Sequence, residues 1–175
     1  NAGESTYLRQ HALLCLMAHI GCLVPAAQAH VPLLRRVFTR IGSTDCLESC
    51  TSTFASEMRE TTYVLRNLGP SALVLVDELG RGTSHRDGLA LAWAVAEELL
   101  HAPRTFTLFA THYLALANLK NLYPQVRCQQ LVVEPTAQRL RFVYRVTNGV
   151  SSRRLYCTDF LAELAGIPRA VTAAE

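Results

Sequence analysis

Residues 72–78 of the chain read ALVLVDE, an apolar run that ends in the two acids Asp77 and Glu78. A continuous apolar run of this length after a Gly-Pro pair is typical of a central parallel strand, because helices cover both of its faces. The two carboxylates then lie at the carboxyl edge of the sheet, where open α/β folds bind their ligands. The run therefore predicts an α/β fold with a ligand site at the end of this strand.

The acid pair predicts a division of labour between its two members. Asp77 would hold Mg²⁺, directly or through water, and Glu78 would polarise an attacking water. The alternative is a helix N-cap or a surface turn, since an Asp-Glu pair is common after a strand. The pair alone leaves both interpretations open.

Helical and apolar segments alternate along the chain, which indicates crossover connections in a mostly parallel sheet flanked by helices. At 175 residues, the chain suits one α/β domain. The helix predicted at residues 87–100 should begin on Asp87 as its N-cap. The other predicted elements are helices at residues 6–20, 54–68, 113–122 and from 158 onward, a strand at 105–110, a segment at 33–41 that leads into a strand, and additional β strands at 130–133 and 140–146.

Composition bounds the possible classes of protein. Half of the residues are hydrophobic, 18% are charged and the net charge is +3, which neither excludes nucleic acid nor shows a concentrated basic stripe. No apolar run approaches the roughly 20 residues that cross a bilayer, so we expect a soluble protein without a membrane partner. The six cysteines contain no C-x-x-C pair, so we expect no metal site among them. Because the chain begins at Asn1 rather than Met, we expect a piece of a longer polypeptide.

The segment GEST, residues 3–6, leads directly into the first predicted helix. In a phosphate loop, G-x-x-x-x-G-K-[ST], backbone amides and the helix N-terminus bind phosphates, the lysine reaches the β and γ oxygens, and the Ser or Thr holds Mg²⁺. Gly3 and Ser5 fit this pattern, but Glu4 occupies the lysine position, and the first glycine would precede Asn1. On its own, the segment also fits an ordinary helix N-terminus.

Two further residues are candidates for the same site. His112 follows the strand predicted at 105–110 and could lie near a γ-phosphate, although a histidine at a strand end is more often structural. Ser52 opens the helix predicted at 54–68, where it could donate to a phosphate or simply cap the helix. The local sequence does not decide between these roles.

Taken in order, the motifs resemble the ATPase domain of the MutS mismatch-repair family. The run DELGRGT followed by FATH about two dozen residues later is highly specific, and the resemblance extends to LAGIP at residues 164–168. Within the family, residues 107–109 and 122–126 look most like the eukaryotic meiotic branch, MutS homologue four. The matching segments are STYLRQ at 5–10, GCLVPA at 21–26, FTRIG at 38–42, STF at 52–54 with Glu57 and Met58, DELGRGT at 77–83 and FATHY at 109–113.

The resemblance implies a P-loop fold of the ABC type in which two subunits enclose ATP and Mg²⁺ at composite sites. It implies that residues 80–83 lie at the seam with another MutS-type subunit in a heterodimer, and that DNA binds to domains outside this chain. A helix-turn-helix segment would begin about where the chain stops, and the meiotic branch implies a nuclear protein. By motif match, Gly3, Ser5 and Thr6 belong to the phosphate loop, Ser5 and Asp77 are Mg²⁺ ligands, Glu78 is the catalytic base, His112 senses the γ-phosphate, and Ser52 reaches the nucleotide of the partner.

The chain departs from the family pattern at three places. Glu4 replaces the phosphate-loop lysine, Cys157 replaces a glycine after Tyr156, and residues 48–51 lack the usual glycine-rich approach to Ser52. Two functions therefore remain open. The domain is an ATPase, impaired by Glu4, that couples nucleotide state to DNA clamping, or it belongs to a non-hydrolysing regulatory subunit of a heterodimer. A different ABC-class ATPase and a degraded gene copy are the remaining alternatives.

Overall fold

The computed structural model describes residues 3–42, 53–135 and 140–150. The chain divides into two compact units, Gly3–Pro124 and Gln125–Glu175. Each unit is described by itself below.

The first unit is built on a parallel sheet of three strands, with β1 at Arg36–Arg40, β2 at Ala72–Asp77 and β3 at Phe106–Ala110. The strand order is β1-β2-β3, so the ALVLVD strand is central, with Phe38 opposite Val74 and Val76 opposite Phe109. Every residue of β2 is buried. The prediction of a central parallel strand is confirmed.

Helices cover both faces of this sheet. On one face, Leu8 and Ala12 of α1 (Glu4–His19) pack with Leu73 and Leu75 of β2. Val74 and Val76 point to the other face. There they pack with one residue of α2 (Thr53–Arg66) and two of α3 (His85–His101), namely Val64, Val95 and Leu99. The alternation of β2 side chains between two apolar layers explains why its sequence is apolar without interruption.

The helices predicted at 6–20 and 54–68 differ from the observed α1 and α2 by one or two residues at each end. Two other helices differ from the prediction, one in its N-cap and one in its helix type. The N-cap of α3 is Ser84 rather than Asp87, because the Ser84 hydroxyl accepts a hydrogen bond from the Asp87 N–H at 3.1 Å. Asp87 lies in the first turn, where its carboxylate accepts the Ser84 hydroxyl proton at 2.7 Å. The helix predicted at 113–122 is divided into a 3₁₀ helix at Leu114–Asn118 and one turn of α-helix, α4, at Leu119–Leu122.

The second unit contains an antiparallel pair of strands, β4 at Gln129–Pro135 and β5 at Leu140–Asn148. The pairing register shifts between Leu131 and Val133. These strands confirm the additional β structure predicted after the parallel sheet. The helix predicted from residue 158 lies outside the described residues, and none of the helices described is long and apolar enough to cross a membrane.

Candidate functional site

The central contact of the site joins the start of α1 to the end of β2. The Ser5 hydroxyl donates a hydrogen bond to the Asp77 carboxylate at 2.5 Å, across 72 residues of sequence. Asp77 is only 7% exposed, so its carboxylate is held at this point by the sheet and by the serine. A hydroxyl beside a carboxylate supplies two of the oxygen ligands that Mg²⁺ prefers.

The N-terminus of α1 lies beside this contact. Gly3 is the N-cap in a left-handed conformation, with φ 103°, and no side chain in the described part of the chain caps the helix there. The amides of the first turn are therefore available to an anion, and the helix dipole favours negative charge at this end. Glu4 is exposed in this first turn, and Thr6 is exposed one residue after Ser5. The Glu4 carboxylate suits the helix dipole but repels any phosphate that binds here.

Glu78 lies at the same edge of the sheet, directly after Asp77. Its backbone has φ 48°, a left-handed conformation that is strained for a residue other than glycine. The Glu78 N–H donates to the Ala110 carbonyl at 3.0 Å, which ties the residue to the end of β3. The Glu78 carboxylate forms an ion pair with the Arg81 guanidinium at 2.5 Å. The contact engages one of the two Glu78 carboxylate oxygens, Oε2.

The loop after Glu78 is anchored at Gly80, which has φ 87°. The Gly80 N–H donates to the Glu57 carboxylate at 3.1 Å, and the Gly80 carbonyl accepts the Tyr113 hydroxyl proton at 2.9 Å. Sequence analysis gave Glu57 and Tyr113 no role of their own. A signal for Glu57 was present, because it shares one face of α2 with the buried residues Thr61 and Val64 at helical spacing.

The two side chains that hold Gly80 are both buried. Glu57 is 3% exposed, and its charge is balanced by the Arg40 guanidinium at 3.0 Å. Burial, followed by the nearby Glu57 carboxylate, raises the pKa of the Tyr113 hydroxyl above its ordinary value. The hydroxyl therefore stays protonated at neutral pH and keeps donating to Gly80.

His112 is exposed, two residues beyond Ala110, the residue of β3 that pairs with Asp77. Its ring lies 4.1 Å from the Tyr113 ring, centroid to centroid, and 6.4 Å from the ring of His85 at the start of α3. The structure thus brings Ser5 and Asp77 into contact, and it places Glu78 and His112 after the two strands that end there. Ser52, with residues 48–51, 156 and 157, lies outside the described residues.

Close packing beneath the loop leads to a prediction for Gly88. A Cβ atom at this position would lie 2.1 Å from the Tyr113 hydroxyl and 2.3 Å from the Gly80 carbonyl oxygen. Overpacking costs about 1–3 kcal/mol, whereas Ala returns only about 1 kcal/mol of helix propensity. Because both contacts are far shorter than 3.0 Å, the overpacking cost should lie at the upper end of this range. We therefore expect Gly88→Ala to lower the free energy of unfolding by up to about 2 kcal/mol, measured by denaturant titration.

The matched control is Gly42→Ala, because a Cβ atom at the exposed Gly42 meets no atom of the described residues within 4 Å. Gly42→Ala should leave the free energy of unfolding within about 0.5 kcal/mol of the natural value. Equal stability of the two variants would show that the Gly80–Gly88 approach is not tight in solution.

Comparison with known proteins agrees with this geometry. The profile of the family described as MutS domain V matches residues 1–175. This chain belongs to the MutS domain V family. It is 45% identical, over 173 aligned residues, to the DNA mismatch repair protein MutS of Syntrophobacter fumaroxidans. The alignment covers 98% of this chain and 19% of that protein. The chain therefore spans about a fifth of the length of this relative.

MutS domain V is an ATPase domain, and the parallel sheet flanked by helices is consistent with a P-loop ATPase. Most of the residues at this site fit Mg²⁺ and a nucleotide, and one of them, Glu4, does not. The Ser5–Asp77 pair and the uncapped N-terminus of α1 supply oxygen ligands and amide donors. Among the described residues, no group of three or more His, Cys, Asp or Glu could hold a metal ion. Glu4 is the misfit.

Proposed function

We propose that this MutS domain V binds Mg²⁺-ATP at the carboxyl edge of the β1-β2-β3 sheet and couples nucleotide state to DNA clamping in a MutS-type dimer. The observation that carries the proposal is the 2.5 Å contact between the Ser5 hydroxyl and the Asp77 carboxylate. It joins a helix N-terminus that suits phosphate to a carboxylate that suits Mg²⁺. An ordinary helix N-terminus would not require this long-range partner.

Each residue has a role in the proposed reaction. The first-turn amides of α1 bind the phosphates, and Ser5 with Asp77 holds Mg²⁺, which neutralises charge on the phosphate oxygens when it is bound. Glu78 orients the attacking water and accepts its proton. His112, exposed beyond β3, senses the γ-phosphate.

Glu4 supports a further proposal, that ATP binding and hydrolysis are impaired in this chain. Its carboxylate occupies the first turn of α1, directly before Ser5, where the family motif has a lysine. The second candidate function follows from the same residue: a non-hydrolysing regulatory subunit whose partner turns over ATP. The strained backbone at Glu78, of the kind that clusters at active sites, favours the first candidate.

The proposed partner is another MutS-type subunit in a heterodimer, with residues 80–83 at the seam between the subunits and Ser52 reaching the nucleotide of the partner. DNA would be bound by domains outside this chain. Nuclear localisation and a meiotic role are proposals that rest on residues 107–109 and 122–126 alone. The similarity to a bacterial MutS lends them no support. Introns in the surrounding gene would support a eukaryotic protein, and a bacterial operon would exclude it.

Ser5→Ala tests the ATP-binding proposal. The substitution removes the hydroxyl that pairs with Asp77, so Mg²⁺-ATP should bind about 10–100-fold more weakly, while ATP in EDTA should be nearly unaffected. Calorimetric titration of the full polypeptide measures both affinities, in the natural sequence and in a Glu4→Lys background.

The matched control is Ser56→Ala. In the natural sequence, the Ser56 hydroxyl only accepts an exposed hydrogen bond from Arg59 on the same helix, α2. The substitution should leave both affinities unchanged. If Mg²⁺-ATP binds equally to Ser5→Ala and to its parent, or binds to neither background, the proposed site is wrong.

A further inference from the structure

The Gly80 peptide is the point where three segments of the first unit meet: the loop after β2, helix α2 through Glu57, and the segment after β3 through Tyr113. We infer that Glu57 and Tyr113 are positioning residues for Glu78, which hold the Gly80 peptide from both sides and thereby fix the catalytic carboxylate at the sheet edge. This inference rests on the proposed function, because it concerns the same site.

The backbone around Glu78 is fixed at both ends. At the near end, the Glu78 N–H donates to the Ala110 carbonyl at 3.0 Å. At the far end, both hydrogen-bonding groups of Gly80 are satisfied by buried side chains, at 3.1 Å and 2.9 Å. Leu79, between them, is fully buried. A left-handed conformation at Glu78 persists only where the surroundings impose it, and these contacts do so.

Stability alone does not explain a buried carboxylate at position 57. Glu57 is 3% exposed, and a buried Arg–carboxylate pair is often no more stabilising than well-packed apolar side chains of similar size. An apolar side chain at this position of α2 would pack as well but would leave the Gly80 N–H without an acceptor. The carboxylate is therefore best explained by the direction of the hydrogen bond that it provides, with Arg40 balancing its charge.

Tyr113 lies beside His112, the proposed γ-phosphate sensor. Its ring lies 4.1 Å from that of His112, and its hydroxyl donates to Gly80 at 2.9 Å. Its ring is also 5.1 Å from that of His85. Tyr113 is 3% exposed, so close packing holds its ring and hydroxyl beside both groups. Tyr113 thus connects the γ-phosphate sensor to the loop that carries the base.

Tyr113→Phe tests the inference, since it removes the hydroxyl and keeps the buried ring. The reference is the full polypeptide with Glu4→Lys, and two quantities are measured: steady-state turnover of Mg²⁺-ATP, and amide hydrogen exchange of residues 78–82. We expect kcat to fall about 10–100-fold with KM within about threefold of the reference, because a small misplacement of a catalytic group costs this much. Exchange in the loop should be at least about tenfold faster.

Two further variants complete the design. Tyr63→Phe is the matched control, because Tyr63 lies on α2 with its side chain 63% exposed, and it should change neither quantity. Glu57→Gln retains an oxygen acceptor for the Gly80 N–H but loses the charge that pairs with Arg40. It should lower kcat less than Glu57→Ala, which removes the acceptor altogether, so the conservative variant partly rescues turnover.

Each outcome decides the inference. Faster exchange with an unchanged kcat would show that Tyr113 is purely structural and would overturn the inference. Unchanged exchange would show that the Tyr113 hydroxyl does not hold the Gly80 peptide in place. If the Glu4→Lys reference does not turn over ATP, the hydrolytic role proposed for Glu78 fails on that result, and the exchange rates of the loop still decide whether Glu57 and Tyr113 hold Gly80.

Discussion

Glu4→Lys is expected to strengthen Mg²⁺-ATP binding by about 10–100-fold and to raise turnover by a larger factor. A charge-assisted contact to phosphate is worth about 1.5–3 kcal/mol, and a tenfold change in affinity corresponds to about 1.4 kcal/mol. Turnover should gain more than binding, because a lysine also stabilises the charge that develops on the transferred phosphoryl group. The measurements are calorimetric affinity and steady-state phosphate release.

The position of Glu4 explains why the effect should be large. It lies in the first turn of α1, immediately before the serine that contacts Asp77, so a phosphate bound by the helix amides would lie close to its carboxylate. Glu4→Gln is the control that separates removal of repulsion from gain of a cation, and its affinity should fall between those of the natural protein and Glu4→Lys. If the natural protein already turns over ATP as fast as Glu4→Lys, Glu4 is tolerated and the impaired-site proposal is wrong.

Glu78→Gln, made in the Glu4→Lys background, is expected to lower ATP turnover by about 10²–10⁴-fold, the contribution of a positioned general base. Gln keeps the shape of the side chain and can still contact Arg81, but it cannot accept the proton of the attacking water. Affinity for Mg²⁺-ATP should stay within about threefold, since the Ser5–Asp77 contact is untouched. Single-turnover kinetics separate the chemical step from binding.

Glu98→Gln is the matched control, because Glu98 is exposed on α3. It should leave turnover unchanged. If Glu78→Gln loses no more activity than Glu98→Gln, then Glu78 is not the base, and any turnover observed belongs to another site. If the natural protein and Glu4→Lys are both inactive while Mg²⁺-ATP binds, the regulatory-subunit interpretation replaces the enzyme.

Two predictions about helices were wrong in detail, one on an N-cap and one on the helix type. Asp87 was expected to cap α3, yet Ser84 does so, because Ser-x-x-Asp lets each residue bond the other across the first turn. That pattern was available in the sequence. The division of residues 113–122 into a 3₁₀ and an α segment was not, because the two helix types share nearly the same residue preferences.

The sequence by itself determined the central strand, its acid pair and the helix that follows Gly3, because burial on both faces and helical periodicity are local properties of the chain. Its motifs also led to the correct family. Only the tertiary structure decided that Ser5 meets Asp77 at 2.5 Å, and that Glu57 and Tyr113 hold Gly80 from two different segments. These contacts join residues between 23 and 72 positions apart, and no periodicity relates such positions. They arise because parallel strands bring their carboxyl ends to one edge, where the helices that cover the sheet contribute the remaining groups.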